Sequence, residues 1–253
     1  MADHPAADSA PPSPQGGELV RRHRLSTRLW HWTNVVSLAV MLMSGLMILN
    51  AHPRLYWGEY GANPDHAWLV LGGEADVPFP GWITIPAHYS PADARVWHFA
   101  FAVVLGLAFA LYFGWSVVNG HLRRDLLPRL AELHPAHLWH DIVEHARLKF
   151  PTGAAALRYN ILQKLAYGGV LFVLLPLVIA TGLAMSPGVD AGVPWLTVVL
   201  GGRQSARSLH FLAAAGLVAF FVVHIAMVVL AGPVNEVRSM LTGWYRLPRE
   251  KDQ

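Results

Sequence analysis

From Leu209 to about Ala231 the chain runs without a charged residue or a proline. Hydrocarbon offers no water to bond a free N–H or C=O, so a stretch of about 20 such residues must close its hydrogen bonds internally, as a membrane-spanning helix. Three other apolar runs, at about 29–50, 95–118 and 161–185, are of similar length, interrupted only by Arg95, Lys164 and Pro176. The expected fold class is an all-α membrane protein, a four-transmembrane-helix bundle.

Two histidines interrupt the last run, His210 and His224, fourteen residues apart. Fourteen residues return to within about 40° of the same helix face and climb about 21 Å. One face thus carries two imidazoles at opposite depths. The first run opens with Trp30-His31-Trp32 and has Gly45 fourteen residues on. That glycine removes a side chain where a flat macrocycle could approach the backbone; helix packing is the alternative use. The second run begins Arg95-Val96-Trp97-His98, and His98, like His210, follows an arginine by three residues. The third carries no histidine, and its Pro176 is expected to kink it. A single histidine in an apolar helix is ordinarily a satisfied core polar group. Four at matched depths point to axial ligation of haem iron between facing helices.

Zero cysteines exclude disulfides, thiolate-held clusters and covalent c-type haem, so any haem is a b haem held without covalent links. The isoelectric point near 9.4 does not signal nucleic acid, since the formal net charge is only +3 and the cations are spread along the chain. They follow membrane topology instead. Fifteen of the nineteen Lys and Arg flank the N-terminus, the second loop or the C-terminus; only Arg54, Arg95, Arg203 and Arg207 lie on the other side. The positive-inside rule then places both termini in the cytoplasm. Residues 1–20, rich in Ala, Pro and Ser, are expected to form a disordered cytoplasmic tail, 21–247 the membrane domain and 248–253 a second tail. Ser26 is a possible cap of the first helix. The second loop holds His137, His140, Asp141 and Glu144, whose spacing could gather them on one helix face. No metal-ligand set is complete by spacing alone, and an amphipathic helix lying along the membrane is the preferred reading.

This topology sets the pairing. His31 lies near the cytoplasmic face, His98 and His210 near the outer face, and His224 returns to the level of His31. The expected cofactors are two b haems, one between His98 and His210 and one between His31 and His224. Two imidazoles per iron leave no open coordination position, which suits one-electron transfer rather than oxygen chemistry. Arg95, Arg203 and Arg207 outside, and Arg28 or Arg24 inside, are candidates to pair haem propionates, with ordinary interfacial anchoring as the alternative. The first outer loop, with Trp57, Trp82 and His88, is a candidate docking platform.

Trp30-His31-Trp32, Val96-Trp97-His98-Phe99 and the run Gly201-Gly202-Arg203-Gln204-Ser205-Ala206-Arg207 through His210 and His224 resemble the bacterial cytochrome b561 and nickel-hydrogenase cytochrome b family. Within it, Tyr159 to Arg246 is most similar to thiosulfate reductase cytochrome b subunits. The resemblance implies a multi-pass subunit of the bacterial inner membrane with His31, His98, His210 and His224 as haem ligands. It also implies electron exchange between quinone and a partner oxidoreductase subunit, expected to contain molybdenum, at the outer face. A quinone site is expected at the cytoplasmic end, from Tyr159, Asn160, Gln163 and Lys164 with Arg28 and His31 at the same level; capping of the helix by Asn160 is the alternative. Two other functions compete. One is a stand-alone quinone-coupled superoxide oxidase or ferric reductase, the other a haem-free transporter or metal-binding membrane protein.

Overall fold

A computed structural model describes residues 17–62, 64–72, 77–128, 130–147, 157 and 160–247. Tyr159, the segment before Gly17 and the tail after Leu247 lie outside the described residues. Four helices are long and apolar enough to cross a membrane: α1 (Leu25–Asn50), α2 (Pro91–Val118), a later one spanning Ile161–Met185 and a last one spanning Arg203–Leu230. Between the second and third of these lies α3 (Pro135–Ala146), which makes the Ile161–Met185 span α4. Short helices α5 (Pro187–Gly192) and α6 (Pro194–Val199) precede α7 (Arg203–Leu230), and α8 (Pro233–Thr242) follows it.

Helices α1 and α2 each begin four residues before their apolar runs, and α7 begins at Arg203, ahead of Leu209, because membrane hydropathy does not mark caps; α4 begins with its run at Ile161. Arg24 caps α1 through its backbone alone, so Ser26 sits inside the first turn instead of capping it. Ser90 accepts from the Asp93 amide at 3.3 Å, and Pro91 opens α2, where its missing N–H costs no bond. Asn160 and Gln163 form a capping box on α4, with bonds of 2.8 and 3.3 Å. Pro176 follows a π-helical turn, Val170–Leu174, in which the Leu175 amide reaches back five residues to the Val170 carbonyl. The wider turn takes up the ladder disruption that an interior proline imposes.

The long helices pack as two hairpins, α1 with α2 and α4 with α7. Their buried positions are mostly small or hydroxylic, Ser37 and Ser44 on α1, Ser116 on α2, Thr181 on α4, and Ser205, Ser208 and Ala213 on α7. Small residues let helix backbones approach in a membrane, where apolar bulk gives no net drive to associate. Large apolar side chains such as Leu107, Leu111, Phe221 and Val222 face outward.

Both described chain ends lie at one end of the bundle. Strand β1 (Leu19–Arg21) pairs antiparallel with Trp244–Arg246, the last strand, which places the domain boundary drawn at residue 20 inside a strand. Arg22 binds Glu236 at 3.1 Å and lies 4.4 Å over the Tyr245 ring. Arg28 donates to the Met240 and Leu241 carbonyls, and the Trp32 indole N–H to the Met240 carbonyl. These bonds use the carbonyls that a helix C-terminus leaves unpaired. At the far end, β2 (Arg54–Leu55) and β3 (Leu69–Val70) form a small hairpin in the first long loop, which makes the Trp244–Arg246 strand β4.

Candidate functional site

Helix geometry brings the four intramembrane histidines together in two pairs. His31 on α1 faces His224 on α7, with ring centroids 6.3 Å apart, toward the end that carries the chain termini. His98 on α2 faces His210 on α7 at 6.1 Å, toward the far end. Two metal–imidazole bonds of about 2.0 Å, plus about 1.1 Å from each nitrogen to its ring centre, give a separation of about 6.2 Å. The spacing of both pairs therefore fits one iron between each pair of rings.

The His98/His210 pair is held from behind. Nδ1 of His98 lies 3.1 Å from the Met41 carbonyl and 3.1 Å from Ser44 Oγ. Nδ1 of His210 lies 3.0 Å from Thr181 Oγ1. A carbonyl only accepts, so His98 carries its proton on Nδ1 and leaves the Nε2 lone pair for a metal. A Cβ on Gly45 would stand 3.4 Å from Cε1 of His98, and one on Gly182 would stand 3.4 Å from Cε1 of His210. Gly45 thus makes room for the edge of an imidazole. His31 is held differently: its buried Nδ1 has no hydrogen-bond partner among the described residues, and its ring meets Trp32 edge-on at 5.1 Å. His224 stacks on Phe220 at 5.8 Å.

The arginines singled out for propionates are placed variously. Arg203 donates to the Met185 carbonyl at 2.8 Å, and Arg207 to the carbonyls of His52 and Arg54, so both fasten far-end loops to helix ends. Arg28 is engaged with Met240 and Leu241, while Arg95 is exposed on the first turns of α2. A guanidinium carries five donors, so these contacts leave others available.

Of the residues expected to meet a quinone, Asn160 and Gln163 are joined in their capping box, and Lys164, only 8% exposed, donates to both carboxylate oxygens of Glu132 at 2.8 Å. Beside them opens a cavity of about 600 Å³, lined by Thr27, Tyr112, Trp115, Ser116, Arg124 and Lys164 among others. Tyr112 stacks on Trp30 at 4.7 Å, next to His31 in sequence. His23, also in the lining, is pushed down to about 4 by burial first, then by Arg22, His31 and Arg28. Sequence reasoning did not find Tyr112, Ser44, Thr181 or Gly182. The recurrence of hydroxyl-Gly-Leu at Ser44-Gly45-Leu46 and Thr181-Gly182-Leu183 was the available signal. In the second loop, α3 forms as the expected amphipathic helix, with Trp139 and Ile142 exposed. No group of three or more potential metal ligands gathers among the described residues.

Residues 22–243 match the family model described as prokaryotic cytochrome b561. The chain is 28% identical over 218 residues to the "Putative protein-methionine-sulfoxide reductase subunit YedZ1" of Azospira oryzae, covering 84% of this chain and 92% of that one. It is 24% identical over 230 residues to the "Probable Ni/Fe-hydrogenase B-type cytochrome subunit" of Cupriavidus necator, covering 86% and 83%. It is 26% identical over 235 residues to a protein of the same name from Azotobacter vinelandii, covering 86% and 84%. The chain belongs to the prokaryotic cytochrome b561 family, and is a multi-pass membrane cytochrome b that serves electron transport.

Proposed function

We propose that this protein is a dihaem electron-transfer subunit of the bacterial inner membrane, linking the quinone pool to a partner oxidoreductase at the outer face. The observation that carries the reading is the double pairing, His31 with His224 at 6.3 Å and His98 with His210 at 6.1 Å. Each pair would hold one b haem, which would supply reversible one-electron chemistry, and the two imidazoles would leave the iron no position for other ligands. The placement of fifteen of nineteen cations on the side of the termini supports a cytoplasmic position for His31 and His224.

At the cytoplasmic end, quinone exchanges electrons in the cavity lined by Tyr112, Thr27 and Lys164. The capping box occupies Asn160 and Gln163, so this cavity is the better quinone site, and the Trp30–Tyr112 stack leads from it toward His31. A quinone head group needs donors for its two carbonyls, which a phenol, a hydroxyl and an ammonium supply in this mainly polar cavity.

At the outer face the partner docks on the first long loop, where Tyr60 and Trp82 are 86% and 81% exposed. This loop is fastened to the start of α7: the Gly58 carbonyl accepts from the amides of Gln204 and Ser205, and the Gly58 amide donates to Ser205 Oγ at 2.7 Å. The relatives named as reductase and hydrogenase subunits support a partner of the oxidoreductase class.

Haem content and quinol-driven reduction of the purified protein test the proposal together. Two b haems per chain, both reduced by quinol, are expected; one haem, or none, overturns the pairing. Deleting the central part of the outer loop should keep both haems and abolish electron exchange with the co-purifying partner. Unchanged exchange would remove the docking role.

A further inference from the structure

Two hairpins of unrelated length present the same device to the two ligands of one haem. On α1, Ser44 Oγ donates to the Val40 carbonyl at 2.7 Å, four residues back, and lies 3.1 Å from Nδ1 of His98. On α4, Thr181 Oγ1 donates to the Leu177 carbonyl at 2.6 Å, again four residues back, and lies 3.0 Å from Nδ1 of His210. The next residue in each case is a glycine, and a Cβ on either would meet Cε1 of its histidine at 3.4 Å and Nδ1 at 3.7 Å. Ser44 and Thr181 are themselves fully buried.

We infer that Ser44-Gly45 and Thr181-Gly182 form a matched pair of clasps that position the His98 and His210 imidazoles and raise their donor strength toward the iron between them, an inference that rests on the haem pairing proposed above. A hydroxyl has one proton, and here the shorter bond commits it to the backbone carbonyl one turn back. The oxygen is then an acceptor toward the ring, and Nδ1–H donates to it, sharing the proton with a backbone carbonyl: Met41, also 3.1 Å from Nδ1 of His98, and Val178 at His210. Together these acceptors fix the tautomer, leave Nε2 as the ligand atom and make the imidazole more basic. The glycine lets the ring edge lie against the helix, close enough to reach the hydroxyl. His31 has no such acceptor at its buried Nδ1 among the described residues. The device is therefore specific to the His98/His210 haem, and it favours the ferric state there.

Serine and threonine here are positioning residues, so the test reads a redox property that simple loss of packing leaves unmoved. In the full-length protein carrying Ser44→Ala with Thr181→Val, spectroelectrochemical titration should show the His98/His210 component shifted upward. The expected change in its ferric-to-ferrous ratio at fixed potential is on the order of tenfold, or ~59 mV for a one-electron couple. The His31/His224 component should stay in place. Ser44→Thr with Thr181→Ser keeps both oxygens and should restore the native potential. If the first variant loses that haem while the second keeps it at native potential, the clasp is again supported. An unchanged potential in the first variant, or an equal shift or haem loss in the second, overturns it. Unmodified protein without two resolvable b components would instead overturn the haem pairing itself.

Discussion

Gly202→Ala is the sharpest probe of the junction between the outer loop and α7. Gly202 has φ 101° and ψ 170°, a region that only glycine occupies comfortably, and forcing another residue there costs about 1–3 kcal/mol. The added Cβ would also stand 2.6 Å from the Gly58 carbonyl oxygen and 2.7 Å from the Glu59 amide nitrogen. Those are backbone atoms, which cannot swing aside like the tip of a side chain. Relief means moving the loop, and with it the bonds from Gln204 and Ser205 to the Gly58 carbonyl and from the Gly58 amide to Ser205 Oγ, at 3.0, 3.1 and 2.7 Å. At about 1 kcal/mol each these contribute roughly 3 kcal/mol, so the loop should be loosened by roughly 4–6 kcal/mol in total. Limited proteolysis in detergent should cut the loop between Leu55 and Trp82 at least a hundredfold faster, since each 1.4 kcal/mol changes the open population about tenfold. Both haem spectra should persist, because the four histidines lie inside the helices. Native cleavage rates in a folded Gly202→Ala protein would refute the reasoning.

Replacing His31 or His224 with alanine should remove one spectral b component, and replacing His98 or His210 the other; loss of the same component by His31→Ala and His210→Ala would break the pairing. Asn160→Ala should cost about 1 kcal/mol of stability as a lost cap while quinol-driven haem reduction stays at the native rate. Tyr112→Phe should slow that reduction by about tenfold, the kinetic weight of one hydrogen bond to the head group, and an unaltered rate would move the quinone site out of the cavity. His23 titrates about 4 in the folded protein against 6.5 in the unfolded chain, so the unfolded state binds more protons between these values. Stability contributed by neutral His23 is thus complete above pH 6.5 and lost as pH falls toward about 4. His23→Gln should flatten thermal stability against pH in that window, measured by unfolding scans, and an unchanged slope would assign the acid sensitivity to other groups.

The long helices and the depth of each imidazole were legible in the chain because both follow from local rules. An uncharged run of about 20 residues has one way to cross a bilayer, and rise per residue converts the fourteen-residue spacing of His210 and His224 into depth. Charge asymmetry added a side for each helix end, and the pairs followed. Helix starts were misplaced at α1 and α2 because their caps lie among polar residues that hydropathy ignores. What the tertiary structure alone decided is which faces meet. Ser44 and Thr181 look like any hydroxyl in an apolar helix until the hairpins set each against an imidazole. Arg207 reaches the His52 and Arg54 carbonyls only once the first loop folds over α7, Arg203 reaches the Met185 carbonyl only once α4 ends beside it, and Asn160 and Gln163 close on one another in a capping box. The union of β1 with β4 joins residues more than two hundred positions apart, and no local periodicity encodes such a contact. Depth is a property of one helix, whereas a hydrogen bond across helices depends on their relative rotation, which packing fixes only when all four are assembled.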